Sequence, residues 1–120
     1  MKQQVFPQLR MTAWDRTREF YVDGLRFKVD WEHRFKPDSP LFAQVSSEGL
    51  SLFLTEHADD CEVGGAAYFV VDDVDAFSSE ISSRGIEAAQ PPRDTPWGSR
   101  EMKVKDPDGN SLRFASPGER

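Results

Sequence analysis

The chain contains one cysteine, Cys61, in 120 residues, so it can form no internal disulfide and has no second cysteine for a zinc-finger pair. A reducing compartment is the expectation. It also lacks any run of about 18 apolar residues, and no apolar signal core follows Met1-Lys2-Gln3-Gln4-Val5. Neither a membrane-spanning helix nor a secretory leader is read here, and the expected location is the cytoplasm. Basic residues are in deficit: 15 Lys and Arg against 21 Asp and Glu give a net charge of −6. That balance repels nucleic acid and anionic lipid and attracts a cationic ligand. Also missing are a glycine-rich phosphate loop, a nucleophile–base–acid set and a basic stripe interleaved with aromatics.

What is present suits one domain over residues 1–120, with 38% hydrophobic and 30% charged residues and no low-complexity tract. An internal repeat divides it. Glu48-Gly49-Leu50-Ser51-Leu52-Phe53-Leu54 matches Asp108-Gly109-Asn110-Ser111-Leu112-Arg113-Phe114 at an offset of 60, and Gly24-Leu25 matches Gly85-Ile86 at 61. The halves run from about 1 to 58 and from about 62 to 118.

Each half reads β-α-β-β-β. The first helix, about 13–23, starts at Thr12 with Asp15 three residues on, a capping-box-like pair, and stacks Trp14, Thr17 and Tyr21 on one face. The second, about 74–84, repeats Val74, Phe77 and Ile81; Asp72, Asp73 and Asp75 sit at its start, where negative charge is stabilising. Gly24 and Gly85 are expected to close these helices in the left-handed conformation. Strands are expected at about 4–11, 27–35, 41–47 and 50–56, then 66–71, 86–90, 100–105 and 111–115, with Gln90 to Pro96 a loop and Pro117 to Arg120 a frayed tail. Alternation turns Leu50, Leu52, Leu54, Leu112 and Phe114 towards the helices and Phe53 and Arg113 away from them. The expected class is α+β, with two curved four-stranded sheets enclosing a pocket.

Pro96-Trp97-Gly98-Ser99-Arg100-Glu101 followed by Asp106-Pro107-Asp108-Gly109-Asn110, with Pro7, Phe20-Tyr21 and Leu25-Arg26-Phe27 upstream, resembles the vicinal-oxygen-chelate superfamily. That superfamily holds glyoxalase I, extradiol dioxygenases, fosfomycin-resistance enzymes and bleomycin-resistance proteins, and the likeness spans nearly the whole chain. The chain departs from it at Arg26, where the family motif reads Leu-Gly-Phe.

Catalytic members carry a divalent metal on the cavity face of the first and last strands of each half, and such metals need about three N or O ligands. Carried over by position, those places hold Phe6, Phe53, Ala66 or Ala67, and Arg113; none suits a cation. The resemblance therefore implies a protein without metal or other cofactor, closest to the bacterial bleomycin-resistance proteins, which are acidic homodimers that sequester a cationic, aromatic antibiotic. The expected function is reversible binding of such a molecule, with Phe42, Phe53, Trp97 and Arg113 as leading contacts and Tyr68, Trp31, Phe35 and Phe6 behind them. Glu101 and Asp38 are placed to meet positive charge on the ligand, and a twofold dimer is expected. Two alternatives stand beside this: a metal enzyme of glyoxalase or dioxygenase type with ligands relocated to His33, His57, Glu56 or Glu101, and a scaffold whose pocket is packed shut by Phe6, Phe53 and Arg113.

Overall fold

The computed structural model describes residues 3–117. Its order is β1 (Gln8–Arg10), α1 (Trp14–Arg18) running into a π-helical turn (Glu19–Gly24), β2 (Lys28–His33), β3 (Phe42–Ser47) and β4 (Leu50–Thr55). Then come β5 (Ala66–Val70), α2 (Val74–Ser83), β6 (Gln90–Asp94), β7 (Ser99–Lys105) and β8 (Ser111–Pro117). The first sheet has the order β1-β4-β3-β2 and the second β5-β8-β7-β6. In each, the outermost pairing of the first strand is parallel and the other two are antiparallel. The repeat read from the sequence is thus a repeat of topology.

Period-two alternation sorts the faces. Leu52, Leu54, Ala43 and Val45 of the first sheet and Leu112, Phe114, Met102 and Val104 of the second are buried. Leu50, at the mouth of its strand, remains exposed. The buried faces share one core: Tyr21 packs edge-on against Phe27, Phe27 against Phe69, and Phe69 stacks on Phe114, which also meets Phe77 of α2.

Asp106 ties the two halves together. It is buried at the start of the Asp106–Asn110 turn, where Oδ1 accepts from the backbone N–H of Asp108 and Asn110, both at 2.9 Å. Oδ2 accepts from the Asn110 amide at 2.8 Å and from the Tyr21 phenol at 2.6 Å. Asn110 in turn donates to the Arg10 carbonyl and accepts from the Gly65 N–H. The segment that reads as a generic turn in sequence is a joint between modules.

Several local expectations are corrected. Thr12 does not cap α1: the N-cap is Ala13 without a side-chain bond, the Trp14 N–H is taken by the Glu56 carboxylate at 3.0 Å, and Thr12 donates its hydroxyl to Asp108. Asp73 does cap α2, accepting from the N–H of Asp75 and Ala76, while Asp75 forks with Arg100 of β7 at 2.7 and 3.1 Å. Gly85 is left-handed at φ 88°, but Gly24 is not; after the first helix the left-handed residue is Arg26, at φ 67°. The π-type bond from Leu25 N–H to the Phe20 carbonyl lengthens that helix end, and Gly24 serves a different need, since a Cβ there would collide with Ile86 Cδ1.

The strand expected at 86–90 lies instead at Gln90–Asp94, across Pro91 and Pro92. As an edge strand it needs a partner on one side only, and its register is interrupted between Gln90 and Arg93, where prolines are tolerated. Pro117 completes β8 and does not fray; Gly118–Arg120 lie outside the described residues.

Candidate functional site

On the first sheet the outward residues form a four-ring aromatic cluster. Phe6 stacks on Phe53 with centroids 4.9 Å apart, Trp31 stacks on Phe42 at 5.8 Å, and Phe53 meets Phe42 at 5.1 Å and Trp31 at 5.8 Å. Trp31 reaches this face because β2 bulges: the register steps from Val29 opposite Val45 to Trp31 opposite Gln44, leaving Asp30 between them. Without the bulge, alternation would place Trp31 beside Val29 and the core. Asp30 accepts hydrogen bonds from Gln44 and Ser46, so it borders the cluster as a satisfied carboxylate.

On the second sheet the outward residues gather on Glu101. Its Oε2 accepts from the Tyr68 phenol at 2.6 Å, the Ser99 hydroxyl at 2.8 Å and the Trp97 indole N–H at 3.1 Å, and Arg113 Nε stands 3.7 Å from Oε1. Glu101 itself is 7% exposed, whereas the rings it holds are open: Tyr68 at 53% and Trp97 at 64%. Burial pushes the Glu101 carboxyl upward, but the bonds from Tyr68, Ser99 and Trp97 and the nearby guanidinium outweigh that and hold it below the usual carboxylate value. The bond to Glu101 is the main reason that the Tyr68 phenol is raised above its ordinary value, keeping it a donor. Trp97 sits on the Thr95–Gly98 turn between β6 and β7, with Gly98 at φ 94°. One end of the indole is pinned while its faces stay free.

Of the residues that stand out in the sequence, the structure gathers Phe6, Phe53, Phe42 and Trp31 on one sheet and Tyr68, Trp97, Glu101 and Arg113 on the other. Phe35, 77% exposed, stands apart with its edge to His33 at 4.9 Å and His57 at 6.2 Å. Asp38 lies exposed in the turn before β3 and takes part in no hydrogen bond or ion pair among the described residues. Ser99, inside the Pro96–Glu101 motif but not singled out there, and Lys103, outside it, join the second group; both follow from period two on β7 once Glu101 is placed outward.

The enclosure expected between the sheets is not formed within one chain. No hydrogen bond or ring contact among the described residues joins the two clusters, and the sheets stay open. A cleft of about 540 Å³ lies on the opposite side, between the modules, over Phe27, Phe69 and Phe77.

At the positions that correspond to the family's metal ligands, Phe6 stacks on Phe53, and the strand pairing sets Gln8 beside Phe53 and Tyr68 beside Arg113. An amide, a phenyl ring, a phenol already bonded to Glu101 and a guanidinium do not make a cation site. The relocated set fits no better. Glu56 is occupied by the N–H groups of Leu41 and Trp14, and no three His, Cys, Asp or Glu residues converge among the described residues.

A sequence model described as glyoxalase superfamily protein matches residues 1–119. Among solved structures, the chain is similar to TioX from Micromonospora sp. ML1, with a TM-score of 0.80 and 20% identity over 96% of this chain and 98% of that one. It is also similar to TnmS3, described as an antibiotic binding protein from Streptomyces sp. CB03234, with a TM-score of 0.76 and 24% identity over 98% and 99%. A member of the glyoxalase/bleomycin resistance protein/dioxygenase superfamily from Sphaerobacter thermophilus DSM 20745 aligns at 0.75 and 22%, over 95% and 98%. At these identities the likeness establishes the fold. No curated protein matches the sequence.

Proposed function

The chain belongs to the glyoxalase superfamily, and from that premise we propose that it is a metal-free binding protein that sequesters a flat aromatic antibiotic carrying positive charge, of bleomycin type. The observation that carries this reading is the pair of ring surfaces: half-buried Phe6, Phe42 and Phe53 beside exposed Trp31, and the pinned, exposed Trp97 with Tyr68. Exposed aromatics cost solvation unless something flat covers them, and they stack planar rings well. The net charge of −6 raises the local concentration of a cationic ligand before contact. The antibiotic-binding description of TnmS3 supports the same class of function.

Because the two ring surfaces belong to separate open sheets, the pocket is completed by a second copy, with the first sheet of one chain over the second sheet of the other. A twofold dimer satisfies both sites at once. Its solution mass is then twice 13.6 kDa, and light scattering at tens of micromolar that returned one chain would remove this part of the proposal.

The deciding measurement is a tryptophan-fluorescence titration with a metal-free bleomycin-type ligand. Saturable quenching near one ligand per chain, lost in a folded Trp97→Ala variant, is the expected result. Absence of quenching by any aromatic cation at high micromolar concentration rejects the reading.

A further inference from the structure

We propose that the outward face of the second sheet recognises the carboxylate of a planar aromatic ligand, through Arg113 and Lys103 with Trp97 as the stacking plate. This rests on the reading that the face binds ligand, and it assigns the chemistry of the group bound there.

The charges around Glu101 carry the argument. By cross-strand register Lys103 lies beside Arg113 and Arg93 beside Glu101, so three cations share a face with one carboxylate, on a protein whose overall charge is −6. That carboxylate is not available to a ligand: Oε2 already accepts from Tyr68, Ser99 and Trp97, and Oε1 faces Arg113. It acts as a positioning residue that holds three side chains in one arrangement.

The cations are in the opposite condition. The Arg113 side chain is 44% exposed, and its guanidinium makes no hydrogen bond among the described residues beyond its 3.7 Å approach to Glu101. Lys103 has no acidic partner among the described residues. Arg93 has a neutral one: in the amide orientation that satisfies both groups, the Gln90 oxygen accepts from its Nε and Nη2. Trp97 and Arg113 approach the two oxygens of the same carboxylate, and Lys103 lies across the ladder from Arg113; guanidinium and ammonium donors on the face that carries the indole match a carboxylate attached to a flat ring, the acid taking charge-assisted bonds while the ring stacks. A cationic group on the same ligand is left to other parts of the acidic surface.

The test uses the full-length, ¹⁵N-labelled protein and follows the Trp97 indole N–H by NMR during titration with 2-naphthoate and, separately, 2-naphthylmethylammonium. These probes share a ring system and differ in the sign of their charge. The expected result is saturable movement with naphthoate at an affinity at least about tenfold above that of the ammonium probe. Arg113→Gln and Lys103→Gln should each weaken naphthoate alone. Equal or tighter binding of the ammonium probe to the unmodified protein, or naphthoate affinity unchanged in a folded Arg113→Gln variant, overturns the assignment. If naphthoate does not bind while the bleomycin-type ligand still quenches, the carboxylate assignment falls and the antibiotic reading stands. If naphthoate binds and the antibiotic does not quench, the carboxylate assignment stands and the antibiotic reading falls.

Discussion

The phenol of Tyr21 donates to the carboxylate of Asp106 over 2.6 Å, joining the helix of the first half to the last turn of the second across 85 residues of sequence. Burial, and then the adjacent Asp106, push the phenol well above its ordinary pKa, so it stays protonated and donating throughout the working pH range. Tyr21→Phe keeps the ring contacts with Phe20 and Phe27 and deletes only the donor. The expected cost is about 1–3 kcal/mol, the range for a bond to a charged buried group. Urea unfolding should show it as a lower midpoint in one cooperative transition, because the core is shared by both halves; two separated transitions would contradict the joint.

Gly24 is kept by packing. A Cβ there would collide with Ile86 Cδ1 and crowd Cγ1 at 3.2 Å, so Gly24→Ala should destabilise by about 1–2 kcal/mol as a case of overpacking. The clash is with the end of a side chain, and Ile86→Val should recover part of the loss. Thermal denaturation of both singles and the double variant measures the coupling; strict additivity would show that the two positions do not touch.

Arg26 holds φ 67° without being glycine. Replacing it by glycine relieves a left-handed backbone that costs an L-residue roughly 1–2 kcal/mol, offset by glycine's larger loss of chain entropy. Arg26→Gly should leave stability unchanged or raise it by up to about 1 kcal/mol. A clear fall in melting temperature would assign the arginine side chain a structural contact.

Glu101 titrates in the folded protein below its ordinary value of 4.5. A depressed carboxyl contributes stability that is fully present above the unfolded-state pKa and is lost as pH falls through the folded-state value. The stability gap between the parent and Glu101→Gln should therefore be constant near neutrality and narrow below pH 4.5. The Trp97 indole N–H resonance should shift over the same interval in the parent and not in the variant. A gap that widened on acidification would reverse the assigned sign.

Much of this architecture is legible in the sequence because it rests on local patterns. The apolar alternation of Leu52 and Leu54, repeated 60 residues later in Leu112 and Phe114, marks the buried faces directly, and Val74, Phe77 and Ile81 mark α2. What escapes depends on non-local partners. The cap of α1 comes from Glu56, which spacing around Thr12 cannot reveal. Gly24 and Gly85 look equivalent in sequence, yet one meets Ile86 and the other turns the chain. Pro91 and Pro92 read as loop because the rule against proline in strands assumes partners on both sides. Within the site, aromatic residues and an arginine can be selected by parity, but the convergence of Tyr68, Ser99 and Trp97 on one oxygen of Glu101 needs three-dimensional register. Phe35 and Asp38 stand out by residue type alone, and the fold carries them elsewhere.

The two prolines of β6 have a further consequence. They remove backbone donors from the outer margin of the second sheet, while the bulge at Asp30 twists the outer margin of the first. Neither end offers a flat ladder on which a stray strand could extend the structure, so runaway fibre growth by edge addition is discouraged at both. The dimer proposed above leaves these margins unused, because it brings the sheets together face to face.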